Sequence, residues 1–249
     1  MNTIRKVNFL DKTTYSIDGR DCLLYLTGKP AYILVQPVDD HDREVLDEQV
    51  TAIAGASPAP FVFVAFPVTD WNGELSPWDS PAVFGPDDFG HGAAGTLRFV
   101  EKELLPAVRI QFHLSDEVPV ILGGYSLAAL FSLWSAWQTD TFSAVAAASP
   151  SVWFPGWLEY TSQQQPMTKA VYLSLGDREE RTRNPVMAAV GGRIRQLHAH
   201  LEMLPRIQTT LEWNKGNHFQ HTGQRCAKAF VWCMSALAKG SAGASSTRG

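Results

Sequence analysis

Ser126 stands at the apex of a short signature. Gly123-Gly124-Tyr125-Ser126-Leu127-Ala128-Ala129 follows an apolar run, Val118–Leu122, that reads as a strand, and it leads into Leu130, Phe131, Leu133 and Trp134 in helical register. A serine on a sharp strand-to-helix turn exposes its hydroxyl. The tightness of such a turn requires small residues two before and two after it, here Gly124 and Ala128. The helix N-terminus behind the serine aims backbone N–H groups at any anion formed beside it, which makes the Leu127 N–H the natural first donor to an oxyanion. A GxSxA match also arises by chance in Gly/Ser turns, and the strand before and helix after set this one apart.

A serine hydroxyl becomes a nucleophile when a base takes its proton. His218 fits, in the turn Asn214-Lys215-Gly216-Asn217-His218-Phe219 that follows the strand-like run Ile207–Trp213. His198 and His200 fall inside a helical pattern, His113 follows a helix near its end, and His221 lies three residues beyond the better-placed candidate. An acid that orients the histidine should leave the run Ala170–Leu175, where Gly176-Asp177-Arg178-Glu179-Glu180 offers three carboxylates. A turn through Gly176 with the acid three residues later leaves room to reach back, which favours Glu179, with Asp177 second and Glu180 third. The loop Gln36–Asp42 should supply a second oxyanion donor, the Val38 or Asp39 N–H. Asp39, Asp40, His41 and Asp42 are metal-ligating types, yet no second cluster completes a site and an acidic first helical turn accounts for them, so neither metal nor cofactor is expected.

The elements that must hold these groups follow from pattern. The runs 31–36, 61–66, 118–122, 143–148, 170–175 and 207–213 are continuously apolar or β-rich, as suits strands covered on both faces. Met187, Val190, Ile194, Leu197, Leu201 and Leu204 recur at helical spacing behind an Asn184 N-cap and Pro185. Leu97, Val100, Leu104 and Val108 mark an earlier helix, and Val45, Gln49, Val50 and Ile53 mark one before that more weakly. Strand and helix alternate, so right-handed crossovers should lay helices on both faces of a mostly parallel sheet. Catalytic loops then gather at the carboxyl ends of the strands. Trp71, Trp78, Trp153 and Trp157 ride on loops at that edge and, with Tyr125, are candidate walls of an apolar pocket; packing of those loops onto the body is the equal alternative.

A hydrophobic share of 45% against 18% charged residues gives a chain of 249 residues enough apolar surface for one sizeable core. We expect a single domain over residues 1–239 and a flexible tail over 240–249, where the sequence GSAGASSTRG is small and polar. The net charge of −4 and the lack of a basic cluster argue against nucleic acid as a partner. No run reaches the ~18 apolar residues of a membrane helix. The N-terminal residues lack a signal-peptide core, and three cysteines without paired spacing predict no disulfide; a cytoplasmic protein without a membrane partner is expected. Oligomeric state is left open.

With these stretches in view the chain resembles the putative-esterase branch of the α/β-hydrolase superfamily, the group of esterase D and the enterochelin-type esterases. The resemblance is carried by Gly123–Ala129, Ser149–Phe154 (SPSVWF), Leu173–Glu180 (LSLGDREE) and Gly216–Phe219 (GNHF), and spans residues 31–235. Ala128 stands where glycine is common in that group. The resemblance implies an α/β-hydrolase fold and a Ser-His-acid or Ser-His site, that of a serine hydrolase, which cleaves small-molecule carboxylic esters through an acyl-enzyme, with Ser126 as nucleophile, His218 as base and Glu179 as the favoured acid, Asp177 being the alternative. An acyltransferase or thioesterase could use the same residues. A non-catalytic binding protein that retained the fold would not need all three.

Overall fold

The computed structural model describes residues 10–57 and 59–246, with side chains described as far as residue 240. The chain opens with β1 (Asp11–Ile17) and β2 (Arg20–Leu26), followed by β3 (Tyr32–Val38), α1 (Asp40–Ala56) and β4 (Phe61–Pro67). A short α2 (Trp71–Leu75) precedes α3 (Ala93–Phe99), which runs through one wider, π-type turn at Val100–Leu104 into α4 (Leu105–Gln111). Then come β5 (Val120–Tyr125), α5 (Ser126–Ala136), β6 (Ala144–Ala148), α6 (Trp157–Gln163), β7 (Ala170–Gly176), α7 (Pro185–Ala188), α8 (Val190–Glu202), β8 (Gln208–Asn214) and α9 (Thr222–Ser246).

The strands form one eight-stranded sheet in the order β1-β2-β4-β3-β5-β6-β7-β8. β3 to β8 are parallel, while β1 and β2 add an antiparallel edge against β4. Alternation along each strand sorts the core into two layers. Leu34, Phe61, Phe63, Ala146 and Tyr172 face α1 and α9. Ile33, Val35, Val64, Leu122, Val145 and Leu173 face the layer that includes α5 and α8. This is the α/β-hydrolase arrangement, with helices on both sides of a mostly parallel sheet.

Each of the six expected strands is present, within a few residues at its ends. The hairpin β1–β2 was missed, although Asp18-Gly19 was there to signal it. Both residues have positive φ, 47° and 75°, the backbone of a tight two-residue hairpin turn. Gly123 and Gly124, expected in the turn, are the last rungs but one of β5, paired with Ala146 and Ala147. In α1 the inward stripe runs through Leu46, Gln49, Val50 and Ile53, and Val45 is only partly covered. Asn184 caps α7 through the Val186 and Met187 N–H groups, but the helix predicted from 187 to 204 is broken at Ala189 before α8 begins. α9 continues past Lys239, where the composition suggested that the fold should end, to Ser246.

The connections make the site. From β3 the chain crosses to β4 on one side, then returns across β3 to β5 on the other, which creates a crevice at the carboxyl ends of β3 and β5. The register Val35↔Leu122, carried three residues forward, brings Val38 level with Tyr125. The loop after β3 therefore leaves the sheet beside Ser126.

Candidate active site

Ser126 is the first residue of α5 and has φ 56°, a left-handed conformation that a non-glycine residue adopts at a cost. The turn is tight enough that a Cβ on Gly124 would sit 2.7 Å from the Ala128 Cβ, so glycine is required there while alanine fits at 128. Tyr125, the N-cap of α5, supplies no side-chain cap. The N–H groups of the first turn, that of Leu127 among them, thus have no helical acceptor and face outward as donors.

His218 reaches Ser126 from the loop after β8. Its Nε2 lies 3.1 Å from the Ser126 Oγ, and its Nδ1 lies 2.7 Å from Oε2 of Glu179. Glu179 is the one of the three carboxylates that makes this contact. Asp177 instead accepts the Gly216 N–H at 2.9 Å and steadies the histidine loop, and Glu180 pairs with Arg195 at 3.3 Å. The Glu179 N–H closes a turn on the Gly176 carbonyl, and the Gly176 N–H returns to Oε1 at 2.7 Å. A Cβ on Gly176 would lie 2.4 Å from the Gly216 carbonyl, so the acid loop and the histidine loop touch where only glycine permits it.

The second oxygen of Glu179 meets a group the sequence did not single out. Arg225, in the first turns of α9, is almost fully enclosed, and its guanidinium donates to Glu179 Oε1 at 2.7 Å, to the Tyr125 hydroxyl at 2.9 Å and to the Ser149 hydroxyl at 3.2 Å. It also donates to the Lys215 and Asn217 carbonyls at 3.2 and 2.9 Å. The signal was a charge on a buried stripe: Arg225, Ala229 and Cys233 recur every four residues along the face of α9 that meets the sheet. A buried cation in that position requires an internal anion. Ser149 Oγ donates to Glu179 Oε1 at 2.8 Å, and Ser151 Oγ lies 3.3 Å from Ser126 Oγ; both belong to the SPSVWF stretch. Burial pushes the Glu179 carboxyl up, but its bonds to His218, Gly176 and Ser149 more than reverse this and hold it below the usual glutamate range.

The aromatic candidates separate. Trp153 lines a cleft of about 500 Å³ with Ser149, Glu179, Met187, His218 and Phe219, a volume in the range of small-molecule sites. Tyr125 is buried beneath the histidine, where its hydroxyl donates to the His218 carbonyl at 2.7 Å; it supports the loop and lies outside the lining of that cleft. Trp157 is fully buried against Trp137 and Tyr160 and belongs to the core. Trp78 packs on Phe154 and Tyr160 with its Nε1 on the Pro155 carbonyl at 3.0 Å, and Trp71 is half-buried against the core. For Trp157 and Trp78 the large apolar ring found its partner inside the protein.

Ser126 thus stands at positive φ at the carboxyl edge of the parallel sheet, in line with His218 and Glu179. The family model described as Putative esterase matches residues 27–226, and the chain belongs to that family. It is a carboxylic-ester hydrolase. No curated protein matches the sequence. Among solved structures it is similar to an IroE-like serine hydrolase from Shewanella oneidensis, at 16% identity and a TM-score of 0.73 over 90% of this chain and 79% of that one. The siderophore hydrolase EstB from Aspergillus nidulans gives 16% identity and a TM-score of 0.68 over 93% and 96%. The enterobactin esterase FES from Shigella flexneri gives 19% and 0.64 over 92% of this chain and 60% of its own. Among the described residues no helix is long and apolar enough to cross a membrane.

Proposed function

We propose that Ser126, His218 and Glu179 carry the ester hydrolysis of this family member as nucleophile, general base and orienting acid. The observation that carries the reading is the unbroken line from Ser126 Oγ through the imidazole to Glu179, 3.1 and 2.7 Å, on a serine held at positive φ. His218 Nε2 takes the hydroxyl proton as Oγ attacks the ester carbonyl. The Leu127 N–H and a backbone N–H of Val38 or Asp39 hold the resulting oxyanion. The position of β3 beside β5 supports the second donor, and one such donor contributes about 3 kcal/mol in comparable sites. Collapse expels the alcohol, which receives its proton from His218, and leaves Ser126 acylated. Water then attacks the acyl-enzyme, with His218 again as base, and releases the acid. Glu179 stabilises the imidazolium in both halves and is never itself protonated.

Buried, unpaired Cys22, Cys226 and Cys233 support a reducing compartment, and we place the enzyme in the cytoplasm. Covalent labelling with a fluorophosphonate, read together with p-nitrophenyl acetate turnover, tests the assignment. Wild type should label at Ser126 and turn the ester over, and Ser126→Ala and His218→Ala should each lose turnover by roughly 10⁴-fold or more. Label on another residue, or full activity in either variant, would remove the assignment.

A further inference from the structure

We infer that the cleft beside His218 selects esters whose leaving alcohol carries an anionic group, received by Arg178, Arg181 and Arg183; this rests on the hydrolase reading above. The segment between β7 and α7 reads Asp177-Arg178-Glu179-Glu180-Arg181-Thr182-Arg183-Asn184, and all three of its arginines line the cleft. Among the described residues Arg181 and Arg183 have no acidic partner. Arg178 shares itself between Gln220 at 3.3 Å and Asp177 at 4.0 Å. Among the described residues Glu179 is the only acidic one in the lining, and its oxygens are already bound by His218, Arg225, Ser149 and the Gly176 N–H. The cleft is therefore positive in a protein whose formal charge is −4.

The same geometry says which half of the ester lies there. His218 hands its proton to the departing oxygen, so the alcohol must extend on the imidazole side. The cleft is lined by Asn217, His218 and Phe219, while Leu127, Val38 and Asp39, which would face the carbonyl oxygen, are not part of it. Apolar surface completes the match: Trp153, Met187 and Val190 form the wall, and the Phe219 ring is 82% exposed beside the histidine. A flat apolar body with an oxyanion at its far end fits between ring and guanidinium, since arginine pairs with carboxylates and packs on planar groups. Solvent-exposed arginines each contribute little and are screened by salt. Two or three acting together predict a preference of about tenfold that fades as salt is raised.

The test compares para-acetoxybenzoate with para-acetoxybenzamide, esters alike except for the charge on the leaving phenol. Binding is measured by calorimetry on Ser126→Ala, and kcat/KM on the active enzyme, in each case at low and high salt. The carboxylate should bind more tightly and turn over faster by about tenfold. That ratio should fall to near one at high salt and in the Arg181→Ala/Arg183→Ala double variant, whose fold is checked by its melting curve. Equal binding of the two esters, or a preference that survives in the double variant, would overturn the inference. A carboxylate preference in calorimetry, with neither ester hydrolysed and no fluorophosphonate label, would instead keep the anion site and remove the hydrolytic assignment.

Discussion

Three carboxylates lie within four residues of one another, and geometry divides their work. Glu179 meets the imidazole, Asp177 holds the Gly216 N–H, and Glu180 faces Arg195. Glu179→Gln should therefore lower kcat by roughly 10³- to 10⁴-fold, because the amide no longer fixes the reactive imidazole tautomer. Asp177→Asn and Glu180→Gln should stay within about a factor of ten of wild type. Initial rates on p-nitrophenyl acetate decide the matter, and a collapse in Asp177→Asn with a mild Glu179→Gln would exchange their roles. Arg225 is a positioning residue with a different signature. It is buried against Glu179, so Arg225→Met should cost about 3 kcal/mol in denaturant unfolding, the usual penalty for leaving a buried charge without its partner. It should also move the acid limb of kcat/KM to higher pH. Removing a cation from beside the Glu179–His218 pair makes a proton easier to add to that pair, so its working form is lost sooner as pH falls. Arg225→Lys keeps the charge and should return the limb toward its wild-type position even where stability stays reduced. An unchanged limb in Arg225→Met would leave the arginine a purely structural part.

Helix α1 carries a separate titration. Asp39 caps it by accepting the Asp42 N–H at 2.7 Å, and Asp42 is itself buried with its Oδ2 unpartnered among the described residues. Burial and the Asp39 carboxylate push the Asp42 carboxyl up to about 7, against the smaller pull of the Asp39 N–H and His41. Between the ordinary aspartate range and about pH 7 the folded chain keeps a proton that the unfolded chain has released, so stability falls as pH rises through that window. Asp42→Asn should abolish this decline, with a gain on the order of a few kcal/mol at about pH 8 and little difference near pH 4. Thermal unfolding at the two values checks it, and an equal effect at both would detach Asp42 from the pH dependence. Such couplings are hard to see in a sequence, and the elements show why. Continuous apolar runs announced the parallel strands because both of their faces are covered. β1 did not, since all but its last residue is exposed and among the described residues it pairs only with β2. The break at Ala189 and the π-type turn at Val100–Leu104 preserve the three-and-four spacing of the buried stripe, which is why periodicity alone read through them.

The meeting of Ser126, His218 and one of three neighbouring carboxylates was legible because each sits where an uninterrupted strand pattern ends and a turn begins, and the fold brings such ends together. What supports them was not. Arg225, Ser149 and the second contact of Tyr125 come from three elements far apart in the chain, and their meeting depends on how α9 lies across β5, β6 and β7. The tryptophan loops left pocket and core as equal alternatives for the opposite reason, since a large ring at the active edge satisfies both until packing is known; Trp153 lines the cleft and Trp157 is core. The place of Arg225 also has a bearing on biosynthesis. It lies beyond Ser126, Glu179 and His218 in chain order, so a ribosome has already made all three residues of the proposed triad before it makes the one that ties them together. The nascent polypeptide should stay chemically silent until α9 has emerged and docked. Stalled chains that stop short of Thr222 should resist fluorophosphonate, and chains extended through α9 by a spacer should react; early reactivity would mean that the vectorially synthesised site assembles without its last helix.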